Sequence, residues 1–128
     1  MNLNQIHHIA IIASDYAKSK TFYTEILGFE IINETYRSER DSYKLDLRVN
    51  EQTQIELFSF PNPPQRPSYP EATGLRHLAF EVNDINSVRN ELIAKNIEVQ
   101  EIRTDETTDK QFFFFADPDG LPIEIYSE

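Results

Sequence analysis

Two histidines and two glutamates occupy matched positions in a chain of 128 residues. His8 and His77 open short apolar runs, in Ile6-His7-His8-Ile9-Ala10 and Leu75-Arg76-His77-Leu78-Ala79. Glu56 follows His8 by 48 residues, in Ile55-Glu56-Leu57-Phe58, and Glu124 follows His77 by 47, in Ile123-Glu124-Ile125-Tyr126. Two imidazoles and two carboxylates make an N₂O₂ donor set of total charge −2, which suits a divalent ion. Positions beyond four stay open to water or to two substrate oxygens, as in a catalytic centre rather than a closed, sulfur-rich structural one. Ligand type alone does not choose between Zn²⁺, Ni²⁺, Co²⁺, Mn²⁺ and Fe²⁺. Taken singly, a strand histidine is more often a half-buried polar group, and a glutamate between apolar neighbours more often faces water. The duplication is what joins the four.

The elements that position these residues repeat as well. Each run reaches an aspartate seven residues after its histidine, Asp15 or Asp84. Each aspartate is a candidate N-cap. Behind Asp15, Phe22, Tyr23, Ile26 and Leu27 recur at helical spacing, and Gly28 supplies a left-handed stop; behind Asp84 stand Ile85, Val88 and Leu92, and Asn96 can end the helix. Helices are expected over 15–27 and 84–95. Strands are expected over 6–13, 29–37, 43–50, 53–60, 75–82, 98–103, 111–116 and 121–126. Alternation puts Glu56 and Glu124 on the face opposite their apolar neighbours. Asp117-Pro118-Asp119-Gly120 reads as a turn leading into the strand of Glu124. By the same alternation, His7 and Arg76 should point away from the faces of His8 and His77. Five of the seven prolines fall within residues 61–70, an expected extended connector between a first module of about 1–60 and a second of about 71–128, together one domain.

Composition narrows the function classes. The formal net charge of −10 disfavours a nucleic-acid surface, which needs clustered cations, and docking on anionic membranes. Nine Phe and six Tyr supply a core. The absence of cysteine removes disulfides and thiolate chemistry and agrees with a cytoplasmic setting. No signal peptide or apolar run of membrane-spanning length is visible.

The chain resembles the vicinal oxygen chelate superfamily, which includes glyoxalase I, fosfomycin resistance proteins, extradiol dioxygenases and bleomycin resistance proteins. The resemblance rests on His8-Ile-Ala-Ile-Ile-Ala-Ser-Asp15, Phe22-Tyr23, Leu27-Gly28-Phe29, Ile55-Glu56-Leu57, Gly74-Leu-Arg-His77-Leu-Ala-Phe and Asp117-Pro-Asp-Gly120-Leu-Pro-Ile-Glu124. Arg40-Asp-Ser-Tyr-Lys44 and Glu56-Leu-Phe-Ser-Phe-Pro61 are similar to a small glyoxalase-like bacterial branch. The resemblance implies an α+β fold of two βαβββ modules in a pseudo-twofold repeat, forming a cupped mixed sheet around a metal held by His8, Glu56, His77 and Glu124. It implies a homodimer, in which the site is often built from modules of two chains. It also implies glyoxalase I chemistry on a small α-oxygenated carbonyl compound or thiol–aldehyde adduct. A glutamate takes a proton from one carbon and returns it to the neighbour, while a divalent ion holds the charge that develops on the substrate oxygens. Glu124 is the first choice for the base, with Glu56 as its partner.

One departure bears on the substrate. Glutathione-using glyoxalases usually carry an Arg four residues after the first His and an Asn four after the first Glu; here those residues are Ile12 and Phe60. Binding of glutathione in the usual way is therefore not expected. Phe58 and Phe60 are expected to wall an apolar cavity, and Arg40 and Lys44 to receive a substrate carboxylate or phosphate or, alternatively, to lie in a solvated, charge-paired hairpin. Two of the rings in Phe112-Phe113-Phe114-Phe115 are expected to line the pocket and two to pack beneath the helices. The competing functions are a metal-dependent dioxygenase, a resistance-type transferase, and a non-catalytic small-molecule binder.

Overall fold

The computed structural model describes Met1 to Glu128. The chain divides into two units, Met1–Gln65 and Arg66–Glu128. Each has the order strand, helix, three strands.

In the first unit, β1 (His8–Ala13) is followed by α1 (Tyr16–Thr21), β2 (Glu30–Arg37), β3 (Ser42–Arg48) and β4 (Gln54–Ser59). The sheet order is β1-β4-β3-β2, with β1 parallel to β4 and the remaining pairs antiparallel. Alternation sorts the side chains: Leu45, Leu47, Ile55 and Leu57 lie on one face and are fully buried, with Tyr23 and Phe22 from the helical segment also in the core. The other face is left to His8, Ala10, Lys44, Asp46 and Glu56.

The second unit repeats this plan. It runs through β5 (Leu78–Val82), α2 (Ile85–Ala94), β6 (Arg103–Thr104), β7 (Gln111–Ala116) and β8 (Pro122–Ser127), in the order β5-β8-β7-β6. Phe113, Phe115, Ile123 and Ile125 are buried with Ile85 and Leu92 of α2. The repeat extends to single hydrogen bonds. Asp15 accepts from the Lys18 amide at 3.1 Å and Asp84 from the Ser87 amide at 3.0 Å, so both predicted caps form. Ser59 Oγ accepts from the Tyr43 amide and Ser127 Oγ from the Gln111 amide, each at 2.9 Å.

Three expectations need correction. The helix expected over 15–27 is α-helical only to Thr21 and continues as a π-helical turn over Phe22–Ile26. Thr24 Oγ1 takes the Lys20 carbonyl at 2.7 Å, and the backbone bond from Leu27 runs to Phe22, five residues back. A side chain competing for a ladder carbonyl opens the turn in this way. The strand expected over 98–103 is reduced to Arg103–Thr104. Gln100 donates one backbone bond to Phe114, but its carbonyl is taken by Arg89 Nε at 3.0 Å. Finally, β1 and β5 start at residues 8 and 78, so His7, Arg76 and His77 precede their strands.

The ends of α2 follow from the sequence. Asn96 takes φ +63°, its amide bonds to Ile93 O, and the Ile97 amide reaches Leu92 O, closing a Schellman motif. In the turn at 117–120, Gly120 takes φ +83°, and the buried Asp117 accepts from the amides of Asp119 and Leu121 at 2.9 Å each. That turn fixes where β8 begins, and so the register of Glu124.

Candidate metal centre

The same strand offset builds a His–Glu pair in each unit. Across the parallel β1–β4 pair, Ala10 is the register partner of Glu56, and His8 lies two residues earlier. Across β5–β8, Ala79 is the partner of Glu124, and His77 again lies two residues earlier. The side chains meet accordingly: His8 Nε2 is 3.5 Å from Glu56 Oε2, and His77 Nε2 is 3.0 Å from Glu124 Oε2. The carboxylates are the enclosed partners, with side-chain exposures of 15% and 13%, whereas the imidazoles are 42% and 34% exposed. An enclosed carboxylate beside a more open imidazole presents an oxygen and a nitrogen to an approaching cation. Neither unit gathers three or more His, Cys, Asp or Glu side chains by itself. Each pair offers one nitrogen and one oxygen, donor types that fit a divalent ion.

The flanks of the two pairs differ. Beside Glu56, β3 brings Asp46 into direct register and Lys44 two residues on. Lys44 Nζ lies 3.0 Å from Asp46 Oδ1 and 3.9 Å from Glu56 Oε2. The first approach is an ion pair rather than a directed hydrogen bond, since Asp46 Oδ1 is buried without a hydrogen-bond partner. At the equivalent places beside Glu124 stand Phe114 and Phe112. The Phe114 ring meets the His77 ring edge-on, with centroids 5.1 Å apart. One pair therefore has a charged wall and the other an aromatic wall. Of the four consecutive phenylalanines, Phe113 and Phe115 are buried and Phe112 and Phe114 half-buried, the division alternation predicts.

Phe58 and Phe60 stack with centroids 5.8 Å apart. The Arg37 guanidinium lies over both rings, and that of Arg40 lies 4.9 Å from the Phe60 centroid. Arg40 therefore sits on an aromatic wall, while Lys44 is charge-paired on the face of Glu56. His7 does not point away from its neighbour: the two Nδ1 atoms of His7 and His8 are 3.0 Å apart. Arg76 and His77 line one cavity. Sequence reasoning missed Asp46. Its signal is the spacing Lys44, Asp46, which places both on one strand face.

The matched modules and paired donors have a counterpart in known proteins. The family model described as the Glyoxalase/Bleomycin resistance protein/Dioxygenase superfamily matches residues 5–125, across both units. The chain belongs to this superfamily. It is 59% identical over 128 residues to protein YwkD of Bacillus subtilis (strain 168), covering all of both chains. It is 30% identical to the metallothiol transferase FosB of Staphylococcus saprophyticus, over 98% of this chain and 78% of that one. A solved structure of a glyoxalase family protein from Enterococcus faecalis superimposes with a TM-score of 0.92 at 48% identity, covering 98% of this chain and 99% of the other. The superfamily includes many enzymes that use a divalent metal, and the two βαβββ modules are its fold. No helix is long and apolar enough to cross a membrane.

Proposed function

We propose that the protein is a divalent-metal-dependent lyase or isomerase of glyoxalase I type, acting on a small α-oxygenated carbonyl compound or thiol–aldehyde adduct. The repeated His–Glu pair, at one strand offset in both units, carries this reading. In it, His8, Glu56, His77 and Glu124 hold one ion, contributed by one chain or by two chains of a homodimer, with Zn²⁺ or Ni²⁺ as the expected metal. A divalent ion bound there supplies Lewis-acid polarisation of substrate oxygens.

The chain's own residues supply the rest. Glu124 takes a proton from the carbon next to the carbonyl, and Glu56 serves the proton on the opposite side. Such transfers contribute about 10²–10⁴-fold when the base is positioned. The edge-on contact with Phe114 supports a fixed orientation for His77. Phe58 and Phe60 favour a substrate with an apolar part, and Lys44 and Arg40 offer cations at its polar end. Ile12, half exposed on β1, offers no charge to a glutathione carboxylate, which favours another thiol or none.

A screen of metal-reconstituted protein against hemithioacetals of several thiols and aldehydes, with elemental analysis of the same samples, tests the proposal. Turnover that depends on bound metal and falls in Glu124→Gln is expected. A preparation that binds no divalent metal after reconstitution excludes it. The identity to FosB, a metallothiol transferase, favours thiol transfer as the second reading. Formation of a thioether from an electrophile, with no isomerised product, would establish that reading instead.

A further inference from the structure

A cavity of about 910 Å³ opens in the second unit beside His77, and three arginines, Arg66, Arg76 and Arg103, line it. We propose that this cavity binds a small oxyanion, a carboxylate or phosphate group of the substrate, through Arg76 and Arg103.

The partners of the three guanidiniums are neutral. Arg66 donates to Ser68 Oγ at 3.0 Å and to the carbonyls of Leu75 and Arg76 at 3.0 and 2.8 Å, and so is committed to holding the wall in place. Arg76 reaches the Ser68 carbonyl at 3.4 Å and the Tyr69 hydroxyl at 3.3 Å, both long, while its guanidinium lies over the Tyr69 ring. Arg103 donates to Gln100 Oε1 at 3.2 Å and lies over the Phe112 ring. A guanidinium has five donors, so Arg76 and Arg103 retain unused N–H groups, held in place by an aromatic face. Glu98 and Asp119 also line the cavity. Three arginines against two carboxylates leave the cavity net positive on a chain of formal charge −10. An acidic protein with a local cationic cavity focuses anions there and repels them elsewhere.

The cavity volume suits a small metabolite. His77 on its wall places the anion's attachment point within the same space as a candidate metal donor. The inference deepens the proposed function by naming the charge of the substrate, and it rests on that reading only for what happens at His77.

Calorimetric titration of EDTA-treated protein with inorganic phosphate and, separately, with malonate tests it at constant ionic strength. Saturable binding of at least one probe is expected, and the preferred probe tells a tetrahedral from a planar oxyanion. Arg76→Gln and Arg103→Gln should each weaken binding by about tenfold or more, the loss of a charge-assisted hydrogen bond, while Arg48→Gln in the first unit leaves it unchanged. Arg103 is exposed, so its variant retains the fold, and far-ultraviolet circular dichroism checks each protein. Absence of saturable binding by both probes overturns the inference, as does unaltered affinity in a folded Arg76→Gln/Arg103→Gln protein. Metal binding without oxyanion binding removes this inference alone; oxyanion binding by a protein that never takes up metal removes the metal reading alone.

Discussion

His77 and Glu124 meet at 3.0 Å, whereas His8 and Glu56, at the same strand offset, stand 3.5 Å apart. The difference goes with what flanks each glutamate. Lys44 draws near Glu56 from β3, and Phe114 and Phe112 stand in the matching places beside Glu124. A duplicated scaffold thus holds two chemically unequal carboxylates. In the proposed reaction Glu124 is the base and Glu56 its partner.

Replacement of the two glutamates should therefore have unequal effects. Glu124→Gln is expected to lower kcat by about 10²–10⁴-fold, the span of general-base contributions. Glu56→Gln should lower metal occupancy with a smaller loss of kcat in protein saturated with metal. Steady-state kinetics with parallel elemental analysis separate the two. Equal losses in kcat at full occupancy would remove the assignment of Glu124 as base.

The matched positions of His8 and His77, and of Glu56 and Glu124, were legible because a repeat distance is written in residue spacing; the meeting of each histidine with the glutamate of its own unit follows from the parallel pairing of first and last strand, which spacing alone does not give. Alternation failed at His7, which lies just before β1 and whose ring meets that of His8. It also failed over 98–103, where the Arg89 side chain takes a carbonyl that a ladder would use. Arg103 gave no signal, because it reaches the cavity of Arg76 from a segment far along the chain, and Arg66, ten residues before Arg76, stands in a connector with no regular periodicity.

The two helix caps give a test of the repeat that is independent of metal. Asp15→Ala and Asp84→Ala each remove one side-chain acceptor from an otherwise orphaned amide, of Lys18 or Ser87. Each should cost about 1 kcal/mol. Urea denaturation midpoints measure this. A cap whose removal costs nothing would show that its helix is held by packing alone.

Burial sets a larger scale in the sheets. Leu57, directly after Glu56, and Ile123, directly before Glu124, are each 0% exposed. Leu57→Ala and Ile123→Ala should each destabilise by about 2–5 kcal/mol, from lost burial and the cavity left behind. Because each neighbours a donor glutamate, metal affinity should fall as well. Chemical denaturation and metal titration of the same samples check both effects.

Alkaline pH should expose a third contribution, from Tyr16. Its hydroxyl donates to Glu34 Oε2 at 2.5 Å, and its ring stacks on Tyr43 with centroids 4.6 Å apart. Burial, then the hydrogen bond to Glu34 and that carboxylate's charge, raise the phenol well above its ordinary value. Lys20, and then Tyr16, hold Glu34 below the usual carboxylate range. A raised folded value means that Tyr16 contributes stability in full below about pH 10, the ordinary tyrosine value, and loses it as the pH rises through the folded one. The Glu34 contribution has the opposite sense: it is present above the usual carboxylate range and is lost as the pH falls through its lowered value. Tyr16→Phe should therefore cost about 1 kcal/mol at neutral pH and flatten the alkaline fall in stability. Tyr36 is also raised, first by its hydrogen bond to Asp41, so Tyr36→Phe is the control for the remaining slope. Unfolding midpoints from pH 7 to 11, with phenolate absorbance followed in parallel, make the comparison. An alkaline profile identical in wild type and Tyr16→Phe would mean that Tyr16 ionises as freely in the folded chain as in the unfolded one.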